Sequence, residues 1–186
     1  MKAFRLKRGS YVAEIDRTER TVLLRVVADT AWLLGTRLDV QPEPDDRLAR
    51  LSWSADTVAE PTDPALARLL PNASDDEEIA GEFRRLTESD LRTIKVERLR
   101  MMWTALQLPG ERLEVAAHHA MDWAAALNDV RLVLAERLEI VTEEDAEGIY
   151  QAAQSGGDDV DAALASLYLF LTWLHESLMM AMLKAL

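Results

Sequence analysis

MDWAAALNDVRLVLAERLEI (Met121–Ile140) is the stretch on which the fold turns. Projected at about 100° per residue, Trp123, Leu127, Val130, Leu134 and Leu138 fall on one face, and Met121, Ala125, Leu132 and Ala135 on nearly the opposite one. A surface helix carries a single apolar stripe, so a helix apolar on two faces belongs at the centre of a helical bundle. Between the stripes run Asp122, Asp129 and Glu136, and Asn128 sits within the second apolar set. Carboxylates carried into a bundle need cationic partners.

The helix that ends before Pro109-Gly110 supplies candidates. Leu91, Ile94, Met101, Met102 and Ala105 form its expected buried stripe, with Arg98 in the middle and Lys95 at the margin. The spacing therefore predicts that Arg98 or Lys95 pairs with Asp129 or Asp122, with Asn128 satisfying what remains. Such pairs specify packing more often than they catalyse. The functional alternative is a polar pocket inside the bundle.

Working outward, helix four is expected over about Arg112 to Leu138, and Thr142 caps a short fifth segment. Ser155-Gly156-Gly157 then breaks the chain before a last helix, Asp159 to Leu186. Upstream, Asp75 to Glu78 places four acids at a helix start, where the macrodipole favours them, and Ile79, Phe83 and Leu86 give that helix an apolar face. Thr87 followed by Asp90 resembles a fresh cap that bends the chain into the next helix. Asp63-Pro64 is an N-cap with proline at the first helical position. Gln41 to Thr62, with prolines and clustered acids and no apolar period, reads as a long mobile loop.

At the N-terminus, residues 2–15 alternate, with Phe4 and Leu6 on one face of the first run and Tyr11, Ala13 and Ile15 on one face of the second. Gly9-Ser10 supplies the turn of a β-hairpin. Asp16 with Glu19 then has capping-box spacing before a helix through Val22, Leu23, Val26, Val27, Thr30, Leu33 and Leu34. The expected fold is mainly α: one domain over 1–186, a bundle of five to six helices with a short N-terminal β-hairpin.

The 186 residues are 49% hydrophobic, enough for one core, with a formal net charge of -12 that repels nucleic-acid phosphates on average. No cysteine is present, which excludes disulfides, thiol nucleophiles and Cys-ligated metal. MKAFRLKRGS lacks the apolar core of a signal peptide, so a cytoplasmic location is expected. No G-x-S-x-G elbow exists, and the Gly156-Gly157 pair is followed by Asp158-Asp159, which would repel a phosphate. His118 and Asp122 have a ligand-compatible spacing, and His175-Glu176 begins like His-Glu-x-x-His, but Met179 occupies the second histidine position. No enzyme, metal or cofactor is expected.

Arg84, Arg85, Arg92, Lys95, Arg98 and Arg100, across the expected bend at Thr87, superficially make a basic helix-turn-helix. Glu82, Glu88, Asp90 and Glu97 are interleaved with them, so intrahelical pairing is the stronger expectation, with DNA binding as the alternative. The last helix is the most apolar stretch, yet Glu176 lies near its middle. It is expected as a core and homo-oligomer helix rather than a membrane span.

DPALARLLPNASDDEEIAGEFRRLTESDLRTIK (Asp63–Lys95), ALNDVRLVLAERLEI (Ala126–Ile140) and LTWLHESL (Leu171–Leu178) resemble an uncharacterised, mainly actinobacterial family, catalogued as domain of unknown function two-thousand-and-seventeen. The likeness runs from Phe4 to the C-terminus. It implies a cytoplasmic companion of the Clp protease adaptor, some members being labelled transcriptional regulators. It carries no catalytic residues; the matching positions are Glu82, Phe83, Arg84, Arg85, Asn128, Asp129 and Arg131. The expected function is a non-enzymatic interaction protein linked to regulated proteolysis, with Glu82, Arg84, Arg85, Lys95, Arg98, Asp122, Asn128, Asp129 and Arg131 as its polar network or interaction site.

Overall fold

In the computed structural model, residues 2–40, 60–154 and 160–185 are described; most of the 41–62 loop and the break at 155–157 lie outside them. The hairpin forms from β1 (Lys2–Lys7) and β2 (Ser10–Glu14). Its two-residue turn is Arg8-Gly9 rather than Gly9-Ser10: Lys7 pairs with Ser10, and Arg8 and Gly9 both have positive φ, 53° and 82°. That backbone matches the right-handed twist of the strands, and glycine at the second position suits it. Phe4, Tyr11, Ala13 and Ile15 are buried, whereas Leu6, beside the turn on the edge strand, is half exposed.

Asp16 closes a capping box on α1 (Arg17–Leu33): its Oδ1 accepts from the Glu19 N–H at 2.8 Å, and Glu19 Oε2 accepts from the Asp16 N–H at 2.7 Å. Asp63 caps α2 (Pro64–Leu69), with proline at its start. Asp76 caps α3, which runs unbroken over Glu77–Leu106. The expected bend at Thr87 is therefore absent. Thr87 Oγ1 instead donates to the Phe83 carbonyl at 2.9 Å, the back-bond a mid-helix threonine makes. The buried stripe of α3 is Leu99, Met102 and Leu106; Ile94 is exposed.

The expected helix start at Arg112 is also corrected. Arg112–Ala116 is a third strand, β3, antiparallel to β2 with Tyr11 opposite Val115 and Ala13 opposite Leu113. Leu113 and Val115 point inward at period two, and five residues are too few to separate that pattern from the helical period that follows. A single 3-10 turn, Ala117–His119, leads into α4 (Ala120–Arg137). α5 (Glu143–Gln154) and α6 (Val160–Leu183) complete the described chain. The architecture is mainly helical with a small antiparallel sheet.

α4 is the central element: α1, α2, α3 and α6 all pack on it. Trp123, Leu127, Val130 and Leu134 are buried, and Ala120, Ala124 and Ala126 widen the buried sector, their small side chains permitting close approach. The second stripe is less enclosed than expected, with Met121 exposed and Ala125, Leu132 and Ala135 half-buried. α6 lays Leu171, Leu174 and Leu178, each 0% exposed, against this core, and its Ser177 hydroxyl accepts from the Phe4 N–H of β1 at 3.3 Å.

Candidate functional site

Every acid of the α4 stripe meets a cation from a neighbouring helix. Lys95 Nζ lies 2.6 Å from Asp129 Oδ1, Arg98 Nε donates to Asp122 Oδ1 at 3.0 Å, and Arg68 Nε of α2 donates to Glu136 Oε2 at 2.7 Å. The seven-residue interval keeps the three carboxylates on one line, along which α2 and α3 are clamped. The Asp129 pair is the enclosed one, its side chains 5% and 14% exposed, while those of Asp122 and Arg98 are 40% and 34% exposed.

Burial raises the Asp129 carboxyl above the ordinary aspartate range, against the lowering effect of Lys95 and of Arg98 further off. Its second oxygen, Oδ2, is buried without a hydrogen-bond partner. Asn128 does not serve that oxygen. It points to another network, where its Oδ1 accepts from Arg131 at 3.3 Å while Arg131 Nε donates to Thr172 of α6 at 3.1 Å. The Arg131 guanidinium also sits 5.9 Å from the Tyr168 ring centroid, tying α4 to α6.

Glu82, Arg84 and Arg85 do not join the central stripe. Arg85 and Glu82 pair one turn apart at 2.7 Å, which holds the Glu82 carboxyl below its ordinary range. Arg84 reaches the Asn72 side chain, and its Nε lies 3.8 Å from Glu88. Glu88, 7% exposed, also takes Arg92 at 2.8 Å. Arg84 and Glu88 thus form a second half-hidden cluster at the start of α3, separate from Lys95 and Asp129.

Besides Glu88, a second buried charge escaped the sequence reading. Arg20 of α1 is 8% exposed and donates to the carbonyls of Leu106 at 3.0 Å, Gly110 at 2.7 Å and Arg112 at 3.3 Å. It satisfies the C-terminal end of α3 and the turn into β3, where a cation complements the helix dipole. The signal was available: Arg20, Leu23, Val27, Thr30 and Leu34 keep an alternating three-four spacing, placing Arg20 on the buried seam.

His119 Nδ1, not His118, approaches Asp122, at 4.0 Å, but that carboxylate is engaged by Arg98. Among the described residues no three His, Asp or Glu side chains gather as metal ligands. Between α1, α4 and α6 lies an apolar groove of about 720 Å³, lined by Val26, Leu33, Val130, Val133, Leu164 and Leu167 among others. Neither Asn128 nor Asp129 lines it.

Each of the three quoted blocks supplies a contact between helices, Lys95 with Asp129 and Arg131 with Thr172, and a family model matches the chain over residues 1–182. The chain belongs to the family described as domain of unknown function DUF2017. No curated protein and no solved structure matches it. In this DUF2017 chain the charged stripe of α4 joins it to α2 and α3.

Proposed function

We propose that the chain is a non-enzymatic interaction protein that self-associates through the outward face of α6. The observation that carries this reading is the two-sidedness of that helix. Its inner side fills the core, while Trp173, Met180 and Leu183 remain 36%, 52% and 63% exposed along the outer side. Trp173 and Met180 are seven residues apart, the repeat at which two helices pack. In an antiparallel pair centred between Glu176 and Ser177, Trp173 of one copy meets Met180 of the other, a self-complementary twofold contact.

The window Ala162–Leu183 has the length and mean hydropathy, 1.2, of a membrane span. Glu176 in its middle and the commitment of Leu171, Leu174 and Leu178 to the core favour protein over lipid as the cover. The cytoplasmic location expected from the sequence belongs to this reading, as does a connection with Clp-type proteolysis, which rests on the family resemblance. The DNA-binding alternative draws no support from the geometry: α3 runs straight through Thr87, and Arg85, Arg92, Lys95 and Arg98 are each paired with an acid.

Sedimentation equilibrium of the wild-type chain and of a Trp173→Glu/Met180→Glu variant tests the reading. Twice the chain mass for the wild type and a single chain mass for a folded variant is the expected pair of results. A wild type that stays monomeric at high micromolar concentration overturns self-association.

A further inference from the structure

The run from Arg84 to Arg100 is basic in sequence, but the outward face of α3 is not. From Ile79 onward its exposed residues are Ile79, Glu82, Phe83, Leu86, Ser89, Asp90, Ile94, Glu97 and Thr104, confined to a sector of roughly 140°. Ile79, Phe83, Leu86 and Ile94 are 59%, 50%, 54% and 45% exposed. All six cations of the run are half-buried; five lie outside that sector, and Arg100 lies near its edge in line with Glu82. Exposed Asp75, Asp76, Glu77 and Glu78 at the start of the helix extend the negative charge. The face is an apolar stripe interleaved with acids, about 27 Å long at 1.5 Å per residue.

We propose that this face docks a cationic amphipathic helix of another protein. Apolar residues at positions i, i+4, i+7 and i+15 form a line along α3, the spacing that receives apolar anchors of a helix laid alongside. Glu82 at one edge of the stripe, Asp90 within it and the exposed acids at positions 75–78 at its start then meet Lys or Arg of that helix, a match that speeds association and rejects acidic competitors. A second copy of this chain is a poor occupant by the same chemistry. Two such faces repel, and the outer side of α6 offers Glu176 with Lys184 rather than a row of cations. The proposal is independent of self-association through α6, which uses a different helix.

A fluorescently labelled synthetic helix of about 18 residues, with leucines on one face and lysines beside them, is the probe. Fluorescence anisotropy is read against the full-length wild type, with a glutamate-for-lysine version of the probe alongside. The lysine probe is expected to bind and the glutamate probe not to. Phe83→Ser/Leu86→Ser and Glu82→Lys/Asp90→Lys should each weaken binding by roughly tenfold or more, in line with loss of interface anchors. Because these side chains are exposed, circular dichroism and melting should stay near wild type. Glu144→Lys/Glu147→Lys, an equal charge change on exposed positions of α5, should keep affinity within about twofold.

An equal loss in the α5 variant would reduce the effect to attraction by net charge and overturn the proposal. So would unchanged binding by the Phe83/Leu86 variant. If that variant instead converts a dimer to a monomer, the face belongs to a second copy and the proposal is wrong. Retained probe binding by Trp173→Glu/Met180→Glu would keep this inference standing even where self-association fails.

Discussion

Lys95 and Asp129 form a 2.6 Å ion pair between α3 and α4, with Asp129 Oδ2 left unserved at the centre of the bundle. Breaking such a pair from one side strands the other charge, so Asp129→Ala should destabilise the chain by about 3 kcal/mol in urea unfolding. Asp129→Asn should cost less, since its Oδ1 still accepts from Lys95. Lys95→Met/Asp129→Leu should return to within about 1 kcal/mol of wild type or exceed it, because the pair fixes how α3 and α4 meet more than it stabilises them. A double variant as weak as Asp129→Ala would contradict this.

The pH dependence has a definite sign. Burial holds the native Asp129 carboxyl above its ordinary value of 3.8, so between that value and the raised one the native state binds more protons than the unfolded chain. Stability from this group therefore falls as pH rises through that interval. Asp145 acts oppositely: the Thr142 and Val141 N–H groups hold it low, so its contribution is lost as pH falls. The stability gap between wild type and Asp129→Asn should thus narrow as pH is raised from about 3.8, an outcome that urea midpoints at successive pH values check directly. A gap that widens would show that Lys95 outweighs desolvation.

The central helix was legible because its pattern persists over five turns and needs an environment on more than one side, and the Asp16–Glu19 and Asp63-Pro64 caps were legible because they are local. The Lys95 and Arg98 partnerships followed from charge set inside apolar periodicity. Asn128 was misassigned because one residue of offset on a helix turns a side chain by about 100°, here from α3 toward α6. β3 was missed because five residues give too little period. The Ile79–Phe83–Leu86 face shows a deeper limit: periodicity marks a surface that wants cover, without saying whether the chain itself supplies it.

Arg20 offers the sharpest test of a buried charge that spacing could have revealed. Arg20→Met keeps the packing of the stem but removes the donors to Leu106, Gly110 and Arg112. Charge-assisted hydrogen bonds are worth about 1.5–3 kcal/mol each, and orphaned carbonyls add to their loss. Arg20→Met should therefore destabilise by at least about 3 kcal/mol in urea unfolding, even if one of the three bonds contributes nothing. A cost below about 1 kcal/mol would mean that water replaces the guanidinium.

Glu139 ends α4 in the left-handed region at φ 54°, with Ile140 N–H returning to the Ala135 carbonyl at 2.9 Å. A side chain is strained there, and glycine is the residue that ordinarily closes this type of helix end. Glu139→Gly should stabilise by about 0.5–1 kcal/mol after the entropy that glycine adds to the unfolded chain, read as a raised melting temperature. A lowered melting temperature would show that the exposed Glu139 side chain does more than its conformation costs.

Thr87 separates a continuous α3 from two capped helices. As an N-cap, its hydroxyl would serve a free N–H, and alanine would cost about 1 kcal/mol. In the structure it donates to the Phe83 carbonyl within an unbroken ladder, so alanine removes a poor helix former and an internal competitor for that carbonyl. Thr87→Ala should leave stability unchanged or raise it by about 0.5 kcal/mol, and hydrogen exchange should show protection running through residues 84–92 without a break. Loss of stability, with fast-exchanging amides just after residue 87, would restore the bend and with it the surface that a helix-turn-helix needs.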